Sequence, residues 1–201
     1  MLMRSLPFLL IAGFALLFMV GEANAEEPEW NYTTSATVQS IAISADGEYI
    51  AAGSGYITSS GEGNSKVYLF DKDRSTPLWN YTTHNYVKSV AISADGEYIV
   101  AGCGWKAYLF DKDSSTPHWN YTTGNMINSV DISADGEYIT VGTKYNDWNA
   151  ISGMVYLFDK DSSTPLWSYS VGSYDVEQVS ISADGEYIIA SSDDWIYLFD
   201  K

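Results

Sequence analysis

Asp111-Lys112-Asp113-Ser114-Ser115 sets three side-chain oxygens at alternate positions, the way calcium loops present their ligands. The pattern recurs at Asp71, Asp73 and Ser75 and at Asp159, Asp161 and Ser163. It lacks the glycine and the distal bidentate glutamate of such loops. A turn in which an aspartate bonds its own backbone accounts for the same residues. Calcium at Asp71, Asp73, Asp111, Asp113, Asp159 and Asp161 is the weaker reading, and no cofactor is expected. Other chemistry is poorly supplied. Cys103 is the only cysteine, which removes intramolecular disulfides and cysteine-based zinc sites. With His84 and His118 as the only histidines, Ser-His-Asp catalysis and His-rich metal sites have little to draw on. Asn31, Asn80 and Asn120 each open an Asn-Tyr-Thr sequon, an acceptor for N-glycosylation in a host that modifies secreted proteins.

The 201 residues carry 10 Lys and Arg against 26 Asp and Glu, a formal charge of −16. Nucleic acid is not an expected partner, because phosphate binding needs clustered cations. With 46% hydrophobic and 15% aromatic residues, the chain is too apolar for a disordered acidic tail. Residues 1–25 read as a signal peptide: Arg4 in a short n-region, an uncharged run from Leu6 to Gly21, and Ala23-Asn24-Ala25 as the cleavage site. The expected location is secreted or extracytoplasmic, with no stable membrane insertion once the signal is removed.

Residues 26–201 repeat one unit four times, over about 28–76, 77–116, 117–164 and 165–201. Ser-Ala-Asp-Gly-Glu-Tyr-Ile recurs with its Asp at Asp46, Asp95, Asp135 and Asp184, spaced 49, 40 and 49 residues apart. A Tyr-Leu-Phe-Asp-Lys string ends at Lys72, Lys112, Lys160 and Lys201, and a Trp-x-Tyr pair starts at Trp30, Trp79, Trp119 and Trp167. Each unit predicts four short strands. Residues 88–93 alternate large and small, 98–101 and 107–111 are apolar, and 119–123 are aromatic and β-branched. Asp-Gly in 94–97 is a hairpin turn. The repeated Trp and Tyr of the last strand read as packing between units rather than as a cofactor box.

Four-stranded units of this length match the blades of a β-propeller. Over residues 28–201, the Val90-Ala91-Ile92-Ser93-Ala94-Asp95-Gly96-Glu97 stretch with Ile99-Val100-Ala101-Gly102 resembles the first half of a WD40 repeat, with Ala for the usual Pro before Asp-Gly. The second half is similar to the tryptophan-docking repeat of quinoprotein dehydrogenases. There a hydrophobic-x-Asp stands eight residues before a Trp, as Asp71, Asp111 and Asp159 stand before Trp79, Trp119 and Trp167. The quinoprotein resemblance implies a PQQ-dependent dehydrogenase or a remnant of one, with the quinone over the axis. Those enzymes typically have eight blades and a vicinal cysteine pair. One cysteine and four blades weigh against PQQ and against catalysis.

With strands named a to d outward from the axis, the repeats open on d (Trp30 to Thr34) and close on c (Tyr197 to Asp200). The expected fold is all-β, a propeller of four four-stranded blades in which the N-terminal d strand completes the last blade. The rivals are half of an eight-bladed ring made by a homodimer, or a piece of a longer protein. The a–b and c–d turns share one face and scarcely vary. The d–a and b–c loops share the other and differ from unit to unit. The variable face offers Tyr56, His84, Tyr86, Trp105, Tyr145, Trp148, Tyr174, Asp193, Asp194 and Trp195 as ligand-binding residues. Exposed aromatics beside amides and carboxylates suit a protein or a glycan. Asp131, where other units have Ala42, Ala91 and Ser180, is the candidate for a site in the axial channel. A non-catalytic binding or scaffold module is therefore the expected function, and the dehydrogenase its alternative.

Overall fold

The computed structural model describes residues 27–56, 64–145 and 152–201. They form four antiparallel sheets with no helix. Blade 1 is β1 (Val38–Ile43), β2 (Tyr49–Ser54), β3 (Lys66–Asp71) and β4 (Trp79–Thr82). Blade 2 is β5 (Val87–Ile92), β6 (Tyr98–Cys103), β7 (Lys106–Asp111) and β8 (Trp119–Thr122). Blade 3 is β9 (Ile127–Ile132), β10 (Tyr138–Thr143), β11 (Gly153–Asp159) and β12 (Trp167–Gly172). Blade 4 has three strands, β13 (Gln178–Ile181), β14 (Tyr187–Ser192) and β15 (Trp195–Asp200). The innermost strands pack in series, β1 on β5, β5 on β9 and β9 on β13. The expected all-β, four-bladed propeller is what the chain builds.

Alternation of side chains across each strand gives every blade two apolar faces, and the core lies between blades. Ala51, Val67 and Leu69 of blade 1 close against Val87, Val90, Ile99 and Phe110 of blade 2. The next junction buries Val100 and Leu109 against Val130, Ile139 and Phe158, and the third buries Val155 and Leu157 against Val179 and Ile188. Trp79 packs on Phe110 of the following blade with ring centroids 5.3 Å apart, and Trp119 packs likewise on Phe158 at 5.3 Å. Each indole also donates to the next blade's lysine carbonyl, Trp79 to Lys112 and Trp119 to Lys160, both at 2.7 Å. The repeated tryptophans are thus fasteners between blades.

Closure by the N-terminal strand within one chain is corrected by the strand pairing among the described residues. Trp30 stacks on Phe70 at 5.5 Å and donates to the Lys72 carbonyl at 2.7 Å, so residues 30–33 stand ahead of blade 1. Fastening of this kind is compatible with pairing to a c strand, since Trp79 pairs with Leu69 while packing on Phe110, so it is the missing pairing with β15 that leaves the arc open. Among the described residues β15 has β14 as its only strand neighbour, and the series of inner strands does not run on from β13 to β1.

Candidate functional site

The two faces of the propeller are built differently. On the turn face, each Ser-Ala-Asp-Gly-Glu string folds into one hydrogen-bonded unit. Ser133 Oγ donates to Asp135 Oδ1 at 2.6 Å, the Glu137 amide donates to the same oxygen at 3.1 Å, and the Tyr138 amide donates to Ser133 Oγ at 3.0 Å. Gly136 takes φ 75°, which the tight turn needs. The Ser133 and Glu137 donors hold the Asp135 carboxyl below the usual carboxylate range, and the equivalent bonds do so at Asp46 and Asp184. The glutamates pair with lysines at the strand ends, Lys112 with Glu97 at 2.9 Å and Lys160 with Glu137 at 3.5 Å. Successive turns are joined across blades by backbone bonds, Ala45 to Ala94, Ala94 to Ala134 and Ala134 to Ala183.

The Asp-x-Asp turns complete this face. Asp111 Oδ1 accepts the Asp113 amide at 2.8 Å, and Asp71 and Asp159 do the same with Asp73 and Asp161. Lys72, Lys112 and Lys160 bond the second aspartate of each pair. That geometry is the backbone-bonded turn. Among the described residues no group of three His, Cys, Asp or Glu is arranged to hold a metal ion.

The described part of the loop face differs in its side chains from blade to blade. Gly104 (φ 57°) and Trp105 form the two-residue link between β6 and β7. The Trp105 carbonyl accepts both the amide and the hydroxyl of Thr123, while its ring stays 49% exposed. Asp193 and Asp194 make the matching link between β14 and β15, and Asp193 takes φ 50°, a conformation aspartate tolerates. His84, Tyr174 and Trp195 are exposed, as is Tyr56 in the first b–c loop. Tyr145 is half-buried, and its amide donates to Asp175 Oδ1. His84, Asn85, Trp105 and Lys106 border a cleft of about 140 Å³ floored by Cys103 and Tyr108. Trp148 lies outside the described residues.

One assignment changes. Tyr86 is not an exposed contact: only 8% of it reaches solvent, and its backbone and Cβ press against Gly55 of blade 1. Asn125, in the equivalent d–a loop, is buried and donates to the Ser152 carbonyl at 2.7 Å. Asp131 is engaged by its neighbour blade. Its Oδ2 accepts the Ser180 hydroxyl at 2.8 Å and the Ile181 amide at 2.9 Å, and its Oδ1 accepts the Ile132 amide. Asn31, Asn80 and Asn120 all point to solvent, because the outer strand turns its Trp and Tyr inward. Cys103 is buried, and burial pushes its thiol up. What sequence reasoning missed is the β15 edge and its apolar neighbours Ile189, Ile196 and Leu198, all exposed.

Fold and faces together define an all-β propeller repeat protein of WD40-like character. The WD domain, G-beta repeat family matches residues 75–111 and 163–200, each stretch running from a d strand through the following c strand. No curated protein matches the chain. Propellers of this kind are in general non-catalytic scaffolds for protein interaction, and that is the level at which the class fixes a role.

Proposed function

We propose that the protein is a non-catalytic, extracytoplasmic interaction module that grips a protein partner with its loop face. The observation that carries this is the contrast between the faces. The turn face spends its polar groups on itself, whereas the loop face leaves Trp105, Tyr174 and Trp195 open to solvent, Trp105 with its carbonyl bonded by Thr123. Aromatics on a fixed scaffold give large contact area at little entropic cost. Asp193 and Asp194 beside Trp195, and Glu177 in the preceding loop, favour a partner surface carrying Lys or Arg. The extracytoplasmic placement rests on residues 1–25, and the N-terminus of secreted protein should read Glu26.

The test compares the protein with Trp105→Ala, Tyr174→Ala and Trp195→Ala against proteins secreted by the source cells and against a glycan array. Each change should weaken capture at least tenfold and leave the melting temperature nearly unchanged, since these side chains have little packing to lose. Tyr86→Ala is the contrast, and it should cost about 3 kcal/mol or more of stability through the cavity it leaves. Undiminished protein capture by all three exposed-ring variants would remove the loop face from the reading. Capture by glycans alone would replace the protein partner with a carbohydrate.

A further inference from the structure

The two end faces of the propeller are complementary. In each junction within the chain, a leading blade offers one set of features and the following blade accepts them. Val90, Val130 and Val179 on the accepting face are 3–6% exposed, whereas Ile41 at the same position of blade 1 is 71% exposed and Ile43 62%. On the offering face Leu69, Leu109 and Leu157 are fully buried, whereas Leu198 of blade 4 is 68% exposed and Ile196 82%. Terminal repeats that end a stack carry a polar outer face. These carry isoleucine and leucine.

The polar features match as well. The Ala45, Ala94 and Ala134 amides donate to the next turn, which among the described residues leaves the Ala183 amide at one end and the Ala45 carbonyl at the other. Tyr49, Tyr98 and Tyr138 lie against Gly96, Gly136 and Gly185 of the following blade, while Tyr187 is 54% exposed and Gly47 has open space beside it. Residues 30–33 are fixed as the d strand of a blade whose other strands they do not touch, and blade 4 lacks a d strand.

We infer that a second copy of this chain covers both ends, each copy setting its blade 4 against blade 1 of the other to complete an eight-bladed ring. Residues 30–33 of one copy then pair with β15 of its partner in the register by which Trp79 opposes Leu69 and Trp119 opposes Leu109. Substitutions in blade 4 would make this contact wider than the junctions within the chain. Ser191 stands where Gly53, Gly102 and Gly142 admit a neighbour within 2.4–2.6 Å of an added Cβ. Ile189 and Ile196 replace smaller residues, Ala51 and Val67 in blade 1. Ser40, Ser89 and Ser129 accept the Val90, Val130 and Val179 amides, and in blade 4 the longer Gln178 takes that position and reaches for the partner's Ile41 amide. Gln178, Ile189, Ser191 and Ile196 line an apolar depression of about 380 Å³ that receives the opposite isoleucine. A head-to-tail contact of this kind makes a ring where the rotation closes, and eight blades lie within the range propellers adopt.

The experiment is sedimentation equilibrium and native mass spectrometry of the purified chain, with Ile41→Asp and Ile196→Asp alongside. Neither side chain enters a junction within the chain, so both variants should keep the melting temperature of a folded propeller. The unaltered protein should weigh two chains, and each variant one. Amide hydrogens of β15 should exchange at least tenfold faster in the variants. Mixing the two variants should restore a one-to-one pair through the single junction left intact. A native protein of one chain at micromolar concentration, an open series longer than two, or variants that stay paired would each overturn the proposal.

Discussion

Ser133 is nearly inaccessible and makes both of its hydroxyl bonds inside one turn, to Asp135 and from Tyr138. Such a residue fixes a pH range. The aspartates of the turns have folded values held below the unfolded value of about 3.9, so the unfolded chain binds more protons as pH falls through that window. Stability should therefore decline below about pH 4. At the other end, burial raises Tyr108 and Tyr156 to about 12, and the Asp161 partner raises Lys160 to about 12. The folded chain then holds protons that the unfolded chain releases, and stability should fall from about pH 10 upward. Urea midpoints at pH 3, 7 and 11 check both limbs, and a profile flat at both ends would contradict them. The Ser-Ala-Asp-Gly-Glu turns could be read from sequence because every partner lies within five residues. The burial of Tyr86 could not, since it depends on the close approach of Gly55 in the neighbouring blade.

At the scale of the strand, period-two alternation was enough. The strand expected over 88–93 is β5 at Val87–Ile92, and that expected over 119–123 is β8 at Trp119–Thr122. The N-terminal strand is different. Trp30-Asn31-Tyr32-Thr33 has the same local pattern, and makes the same contacts with Phe70 and Lys72, whether it closes blade 4 or stands before blade 1, and only pairing with β15 distinguishes the two. Close approach between blades is another property that no single strand declares. A Cβ on Gly102 would come within 2.5 Å of Ile127 Cγ2, so Gly102→Ala should force the second junction apart. The expected loss is about 1–3 kcal/mol, the usual cost of overpacking. Chemical denaturation measures it, and a neutral result would mean that the blades have room to slide.

For the whole molecule, the charge of −16 looks at first like a statement about ligands. The structure ties much of it to the turn face, where glutamates and aspartates bond their own turns and lysines. Its remaining effect is long-range self-repulsion. Two chains of this charge should associate more weakly at low ionic strength, where the screening length grows to about 30 Å at 0.01 M. Raising salt from about 0.01 to 0.15 M should tighten pairing at least tenfold by sedimentation. Pairing that weakens with salt would indicate that ion pairs, and not apolar end faces, hold the copies together.

The backbone bonds from Ala45 to Ala94, Ala134 and Ala183 all run the same way. A blade therefore presents an acceptor to the blade before it and a donor to the blade after it. A gene of this form can gain or lose blades by recombination between its own repeats. The alternating spacing of 49 and 40 residues is the trace such copying would leave, two blades at a time.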